Sequence, residues 1–569
     1  LDMQDGSLIL SGTADLGSIR LNSTNSGDLS SLDITGKTQA GTLTDEGNGG
    51  NLAIGKNGTL TLTGAGSELS NSTISGTGVL HVADTASLAL NGTSKLDGVQ
   101  VDLDGSGMLE LGNAANTISG LTGIGALNNG SALEITTAGN ALYEGTLSGE
   151  GSITMNGTGT QVLKGNGAIG QALSVTKGTL ELTGAEGGNG SVTYKSLTAA
   201  SGAHVRLSPV GEGTGAVNTT LTVANGLNLQ NSHLDLVINT NRDDLFSSPV
   251  ITVQAGDVNL DGTTVSLGSL GDYDDPADPT ANLNFTLVDA TGAGTVSANG
   301  ATVDASGYFD FYYQEFGIRT EGGKIVVTGM VKTENAFMDA ANTANSEAGA
   351  NLLWNNRGNA PKGTQLGDLR EAVRNDIQSG NTSRAARSMA AAAGSTVNAL
   401  GTAQKDALRD QMGWIRNRTT LMGVNPAYVN DDLPYFHMWM EGTGSYAKLD
   451  TKGDESGYQL TTWGGTVGMD VDLSDHFTMG AAFTANYGDL TASAADSADG
   501  HLDSYYANLF GRYQSKRWAH TLILTGGWND AKLNRTVNYG AGSYGTQGNT
   551  NGWGFGAMYE LTYDVYLNE

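Results

Sequence analysis

The feature that most constrains this chain is a long alternation of apolar residues with small or polar ones between Trp463 and Tyr487. The alternation covers residues 463–472, is interrupted by a turn at 474–476, and resumes over 477–487. Successive side chains of a strand point to opposite faces, so each half predicts a strand with one apolar face. A soluble antiparallel sheet gives the same alternation. Two strands of about ten residues with a tight turn and terminal aromatic residues are more typical of a hairpin from an outer-membrane β-barrel.

Later segments repeat this pattern. From residue 435 onward the sequence contains roughly six candidate strands, of which residues 553–567 are the clearest, with Trp553, Phe555 and Tyr559 on one face. Longer polar segments at 492–500 and 535–551 fall between alternate strands, which predicts long loops on one side of a barrel and short turns on the other. Residues 434–569 are therefore predicted to form the N-terminal part of an antiparallel outer-membrane β-barrel.

The first 225 residues repeat a different unit, a small residue followed by a short alternating apolar strand and then glycine, asparagine or threonine. Examples are residues 6–10, 58–62, 86–90, 107–111, 151–155 and 178–182. The spacing is mostly about 20 to 27 residues, which is typical of solenoids. Strands this short cannot bury a face alone and must stack on their neighbours. Residues 1–225 are therefore predicted to be a right-handed parallel β-helix, with a β-sandwich or low-complexity disorder as the alternatives.

Two further segments separate these regions. Over residues 226–333 the strands become denser and more apolar, and an aromatic cluster occurs at 308–313. A solenoid needs a terminal cap over its last strands, and 226–333 is placed to supply one. Residues 334–394 are predicted to be a helical linker, because they are rich in alanine and place Leu369, Val373 and Ile377 four residues apart.

A further helix is predicted within residues 395–433, and it carries several cations. It is either a solvated amphipathic helix between domains or a helix inside the polar lumen of a barrel. In the second case its cations would meet acidic residues on the inner barrel wall. The cations are Lys405, Arg409, Arg416 and Arg418, and the acidic candidates are Asp470, Asp472 and Glu560.

Short glycine and aromatic motifs mark the predicted barrel strands. They are Gly457-Tyr458, Gly464-Gly465, Gly468-Met469-Asp470, Gly480, Tyr487, Tyr505-Tyr506 and Gly511-Arg512-Tyr513. Together these motifs resemble the start of the barrel of monomeric autotransporters (type V secretion). The upstream glycine-rich strands resemble the passenger repeats of that family, and the segment at 234–289 resembles its C-terminal autochaperone region.

The resemblance implies a barrel in the outer membrane, a helix threading its pore and a β-helix displayed on the cell surface. The implied partners are outer-membrane lipid, the barrel assembly machinery and a surface ligand, which is a glycan, a protein or a second copy of the chain. The family barrel has more strands than this chain shows and usually ends in an aromatic residue. We therefore expect this sequence to be a fragment with an incomplete barrel.

Composition and motif content exclude several classes of functional site. The chain has no cysteine, which excludes disulfides, thiolate metal sites and cysteine nucleophiles. The net charge of -29 argues against nucleic acid as a partner. The seven histidines include no H-x-x-x-H spacing, and no G-x-S-x-G motif is present. We therefore expect no catalytic residue, no metal site, no cofactor and no enzymatic activity.

Some members of the family cleave themselves within the pore helix at an asparagine or an acidic residue. Asn355, Asn356 and Asp406 invite that comparison but lack matching context.

Three functional hypotheses follow from the sequence. The first is a surface-displayed adhesin or biofilm factor that binds its ligand along the solenoid. The second is an exported enzyme whose catalytic domain precedes residue 1, with residues 1–225 as a stalk. The third is a soluble multi-domain β protein.

Overall fold

The computed structural model describes the chain except for residues 25–28, 212–214, 241–246, 271–279, 291, 293, 361–362, 423–434, 453–455, 541 and 566–569. It divides into two compact units, Leu1–Thr333 and Glu334–Glu569.

The N-terminal unit is a solenoid of short strands. Its first strands are β1 Asp2–Gln4, β2 Ser7–Leu10, β3 Thr13–Ser23, β4 Ser30–Ile34, β5 Lys37–Gly47, β6 Gly50–Ile54, β7 Thr59–Leu62, β8 Ser67–Leu69, β9 Thr73–Gly76, β10 Val79–Val82, β11 Ser87–Leu90, β12 Lys95–Asp97, β13 Gln100–Leu103, β14 Met108–Leu111, β15 Asn116–Ile118, β16 Gly120–Gly123, β17 Ala126–Asn129, β18 Ala132–Ile135, β19 Asn140–Tyr143 and β20 Thr146–Ser148. They are followed by β21 Ser152–Met155, β22 Thr160–Lys164, β23 Gly167–Val175, β24 Thr179–Thr183, β25 Ser191–Ala199, β26 His204–Ser208, β27 Thr220–Val223, β28 Leu227–Asn228, β29 His233–Ile238, β30 Ile251–Val253, β31 Val258–Asn259, β32 Thr264–Ser269, β33 Leu283–Asp289, β34 Val296–Ser297 and β35 Thr302–Ala305.

These strands stack in parallel register, and their inward side chains form continuous apolar columns. Leu60 of β7 pairs with Leu80 of β10, Leu80 with Val101 of β13, and Val101 with Leu121 of β16. All four side chains are fully buried. Burying a side chain of this size stabilises the fold by about 1.5–3 kcal/mol, so the core is built by repetition rather than by one large cluster. The predicted β-helix is confirmed.

Glycine allows the corners between stacked strands to close. Gly123 ends β16 at φ +98°, and a Cβ built there would lie 2.0 Å from the carbonyl oxygen of Leu103 on the preceding turn. A side chain is therefore excluded both by backbone conformation and by the space between turns.

A buried glutamine supplies hydrogen bonds where the backbone pairing between two stacked strands is interrupted. Between β16 and β19 only Gly123 and Tyr143 are paired, so Leu121 lacks its usual partner on the next strand. The Gln161 side chain from β22 reaches across that strand: its Oε1 accepts from the N–H of Leu121 at 3.1 Å. Its Nε2 donates to the carbonyl oxygens of Leu121 at 2.9 Å and Ala141 at 3.3 Å. Because Gln161 is fully buried, these bonds replace backbone pairing that water cannot supply.

Aspartates at the corners connect one turn of the solenoid to the next. Asp84 accepts hydrogen bonds from the backbone N–H and the hydroxyl of Ser106, both at 2.7 Å. Asp257 accepts the same pair from Thr295, both at 2.8 Å. These bonds stabilise the charged carboxylate and hold the pKa of both aspartates below the ordinary value of 3.8.

This arrangement predicts a loss of solenoid stability in acid. An aspartate whose pKa is lowered by folding stabilises the fold fully above its unfolded pKa, and this contribution is lost as the pH falls through the lowered folded pKa. We expect the D84N/D257N variant to melt at a lower temperature than the wild type at pH 7. Its melting temperature should fall less than that of the wild type between pH 5 and pH 2, measured by circular dichroism. Equal falls in both proteins would contradict this account.

An antiparallel hairpin lies at the end of the solenoid. Its strands are β36 Tyr313–Glu321 and β37 Lys324–Val331, and β37 pairs antiparallel with β33. The short helix α1, Tyr308–Tyr312, precedes it and buries four aromatic rings. The change from parallel to antiparallel pairing ends the stack of turns and covers the edge of β33, which limits pairing with another chain.

The C-terminal unit begins with helices. They are a 3-10 turn at Ala336–Ala340, α2 Ala344–Asn355, α3 Gln365–Gln378, α4 Thr382–Ala393 and α5 Val397–Met422. Thr343 forms a capping box with Ser346 at the start of α2, and the Thr364 side chain caps α3. Within the described residues, no helix is long and apolar enough to cross a membrane.

Six antiparallel strands complete this unit, and each pairs with the next along the chain. They are β38 Tyr435–Leu449, β39 Gly457–Ser474, β40 Phe477–Ser493, β41 Ser497–Ser515, β42 Trp518–Tyr539 and β43 Gly542–Tyr563. The prediction of long loops at 492–500 and 535–551 is wrong, because strand pairing continues as far as Ser493 with Ser497 and Tyr539 with Gly542. Their polar composition reflects strand surface and not loop.

Candidate functional site

The outer face of the six-stranded sheet carries two rows of aromatic side chains. The first row contains Phe477, Tyr513, Trp518, Tyr559 and Tyr563, and the second contains Trp463, Tyr487, Tyr505, Trp528 and Trp553. Rings pair across neighbouring strands within each row, with centroid distances of 4.6 Å for Trp518 and Tyr563 and 5.2 Å for Trp463 and Tyr487. Large apolar side chains such as Leu522 and Phe483 remain exposed between the rows.

The separation of these rows matches the thickness of a membrane. Trp518 and Trp528 begin and end the apolar stretch of β42 and are ten residues apart. At about 3.4 Å per residue and a tilt of about 45°, ten residues span about 24 Å along the membrane normal. The apolar band of an outer-membrane barrel is about 25 Å tall and has aromatic residues at both edges.

The inner face of the sheet is polar and packs against α5. Gln411 of α5 donates its side-chain amide to the hydroxyl of Thr484 at 2.7 Å, and the hydroxyls of Thr484 and Thr466 lie 2.8 Å apart. Nearer its N-terminus α5 contacts the sheet through small apolar side chains, including Ala403, which is buried in a cluster with Leu460. A helix thus lies along the polar face of a sheet whose opposite face is apolar.

Two arginines of α5 are paired with acidic residues on the strands. The Arg416 guanidinium donates two hydrogen bonds to the Glu560 carboxylate, each at 2.8 Å. Arg418 lies 3.3 Å from Asp470, whose side chain is 1% exposed, and stacks over the ring of Trp439 at 5.2 Å. The two pairs fasten the C-terminal half of α5 to β39 and β43.

The remaining residues predicted for this site are arranged differently. Arg409 contacts Asp406 of its own helix at 3.9 Å, and its side chain is 80% exposed. Lys405 forms no ion pair with any residue that the structure describes. Asp472 accepts a hydrogen bond from Thr478 and lies 4.0 Å from His437. The structure therefore brings two of the four cations to the predicted acids, and the functional role of these contacts stays a prediction.

Sequence reasoning missed other contacts of α5. The Tyr458 hydroxyl donates a hydrogen bond to the Asp406 carboxylate, and Arg512 donates to the carbonyl oxygen of Thr419 at 3.1 Å. Tyr458 and Arg512 belong to the glycine and aromatic motifs that resemble the autotransporter barrel. Those motifs were the sequence signal that could have indicated these contacts. The two asparagines compared with a cleavage site, Asn355 and its neighbour, lie at the end of α2 and outside α5.

Comparison with known proteins places this arrangement in a family. Residues 438–569 match the family model described as "Autotransporter beta-domain". "Esterase EstA" of Pseudomonas aeruginosa is 38% identical over 116 residues, which is 20% of this chain and 17% of that protein. "Extracellular serine protease" of Serratia marcescens is 29% identical over 108 residues, 18% of this chain and 10% of that protein. The matches span a fifth or less of these relatives, and no solved structure matches the chain.

These names contradict one prediction from the sequence. The chain was predicted to have no enzymatic activity, whereas the relatives are named as an esterase and a serine protease. That prediction is wrong, because it rested only on the absence of catalytic motifs within these 569 residues.

The aromatic rows, the packing of α5 on the polar face of the sheet and the family match agree on the role of the C-terminal segment. Residues 438–569 are therefore an autotransporter β-domain, which implies an outer-membrane barrel with the β-solenoid as the passenger displayed on the cell surface.

Proposed function

We propose that the solenoid acts at the cell surface as a binding face, in an adhesin or biofilm factor exported and anchored by the β-domain. The observation that carries this proposal is a row of outward polar side chains in register across the turns. The row contains Gln39, Thr61, His81, Asp102 and Thr122. Its members repeat at about 4.8 Å, which gives a long surface of hydrogen-bonding groups.

The proposed partners follow from this placement. The β-domain contacts outer-membrane lipid through its aromatic rows and is inserted by the barrel assembly machinery. The solenoid row binds a glycan, a protein or a second copy of the chain, since hydroxyl, amide and carboxylate groups suit each of these ligands.

The second candidate function is an exported hydrolase in which the solenoid is a stalk. The names of the relatives, an esterase and a serine protease, favour it. The matched share of those proteins is at most a fifth, so their activities enter here only as a proposal.

One experiment separates the two candidates. Cells displaying the full-length protein are tested for adhesion to host cells and for aggregation, and are labelled in parallel with a fluorophosphonate probe for activated serines. The binding-face proposal expects adhesion or aggregation that is lost in T61A/D102A/T122A. It should be kept in the control S31A/N51A/T73A, which alters a separate row in register on β4, β6 and β9. Labelling of the protein, without adhesion, would support the hydrolase and contradict the binding face.

A further inference from the structure

Two charged side chains of the six-stranded sheet, one from a turn and one from a strand, contact the corner between α4 and α5. Helix α4 ends at Ala393, Gly394 adopts the left-handed conformation with φ +82°, and α5 begins at Val397. Asp496 lies in the turn between β40 and β41, and Arg535 lies on β42. The two side chains are in contact, with Nε of Arg535 3.1 Å from Oδ2 of Asp496.

Asp496 holds the start of α5. Its side chain is fully buried and accepts hydrogen bonds from the Ser395 hydroxyl, from the Thr396 hydroxyl at 2.7 Å and from the Thr396 N–H at 3.2 Å. The first N–H groups of a helix have no partner within the helix and carry a partial positive charge. A buried carboxylate at this position satisfies one such donor and complements that charge.

Arg535 holds the end of α4. Its Nη2 lies 3.2 Å from the carbonyl oxygen of Ala391 and 3.5 Å from that of Ala392. The last carbonyls of a helix carry a partial negative charge, which a guanidinium complements. The cation therefore faces a helix C-terminus and the anion faces a helix N-terminus, while each also neutralises the other.

We infer that Asp496 and Arg535 form a clamp that positions α5 within the β-domain. The clamp fixes the residues where the chain turns into α5, and the arginine pairs fix the helix about 20 residues further on. That distance is about 30 Å of helix, so charged contacts hold both ends of α5, in addition to the Asp406 and Gln411 contacts between them. The inference rests on the proposed function in one respect, namely that α5 carries the exported passenger. Asp496 and Arg535 are positioning residues and not catalytic ones.

Amide hydrogen exchange of the full-length protein in lipid nanodiscs tests the clamp. In D496N we expect the peptide over residues 394–403 to exchange about tenfold faster or more, because charged hydrogen bonds to its backbone and hydroxyls are lost. The peptide over residues 411–420 should change less than about threefold, because Arg416 and Arg418 still hold it. The control D499N alters an exposed carboxylate of β41, the next strand after the turn, and should change neither peptide.

Unchanged exchange at 394–403 in a folded D496N protein would overturn the clamp. If D496N does not fold, T396V tests the clamp instead, because it removes one hydroxyl donor to Asp496 and leaves both charges in place. Faster exchange confined to 394–403 in T396V supports the clamp, and no change contradicts it. Adhesion and probe labelling are measured on the same variants, so a failure of the proposed function is seen separately from a failure of the clamp.

Discussion

Replacing Leu522 with arginine is expected to destabilise the β-domain by about 2–4 kcal/mol. Leu522 lies on the outer face of β42 between Trp518 and Trp528, and 47% of its side chain is exposed. A charge at that depth must be buried in hydrocarbon, which is costly. The free energy of unfolding is measured by denaturant titration of the full-length protein in lipid vesicles.

The control for this variant lies on the same strand. Thr536 also faces outward and is exposed, but it lies eight residues beyond Trp528 and therefore outside the apolar band. T536R should cost about 1 kcal/mol or less. Equal losses in L522R and T536R would contradict a membrane boundary between the two positions.

Replacing Gln161 with alanine is expected to destabilise the solenoid by about 3–5 kcal/mol. The variant leaves the N–H and carbonyl of Leu121 without their side-chain partner and opens a cavity among buried residues. Burial prevents water from replacing these bonds fully. Pulse proteolysis in increasing urea, followed by detection of the solenoid fragment, measures the loss.

T160A is the matched control for Q161A. Thr160 precedes Gln161 on β22 and points to the opposite face, where it is partly exposed. Its replacement should cost about 0.5 kcal/mol. A loss below about 1 kcal/mol in Q161A would show that the amide does not replace the interrupted pairing.

The sequence was sufficient for those parts of the fold in which side-chain period directly reports burial. The apolar columns through Leu60 and Leu80 alternate with polar residues and were recognisable as stacked strands. The strand residues on either side of the β40–β41 and β42–β43 connections were not recognisable as strand. Beyond the membrane the outer face is polar, so alternation no longer distinguishes strand from loop. Gln161 was also hidden, since a polar residue at an inward position looks like a break in a strand.

The candidate site was predictable in part for a similar reason. Arginines on a helix and acidic residues on the inner face of the strands predicted ion pairs. Arg416 does pair with Glu560, and Arg418 pairs with Asp470. The clamp at the corner of α5 was not foreseeable, because Asp496 lies in the turn before β41 and Arg535 lies on β42, and they meet only through the pairing register of these two strands. The prediction of no enzymatic activity was wrong, because the absence of catalytic motifs from these 569 residues is not evidence about the activity of the protein.

Protease treatment of intact cells tests the topology of the protein most directly. The full-length protein is expressed in a Gram-negative host, protease is added outside, and the solenoid and the β-domain are detected separately after fractionation. We expect the solenoid to be digested while the β-domain stays intact in the outer-membrane fraction. Protection of both parts, or recovery of both in the soluble fraction, would contradict an outer-membrane β-domain that displays the solenoid.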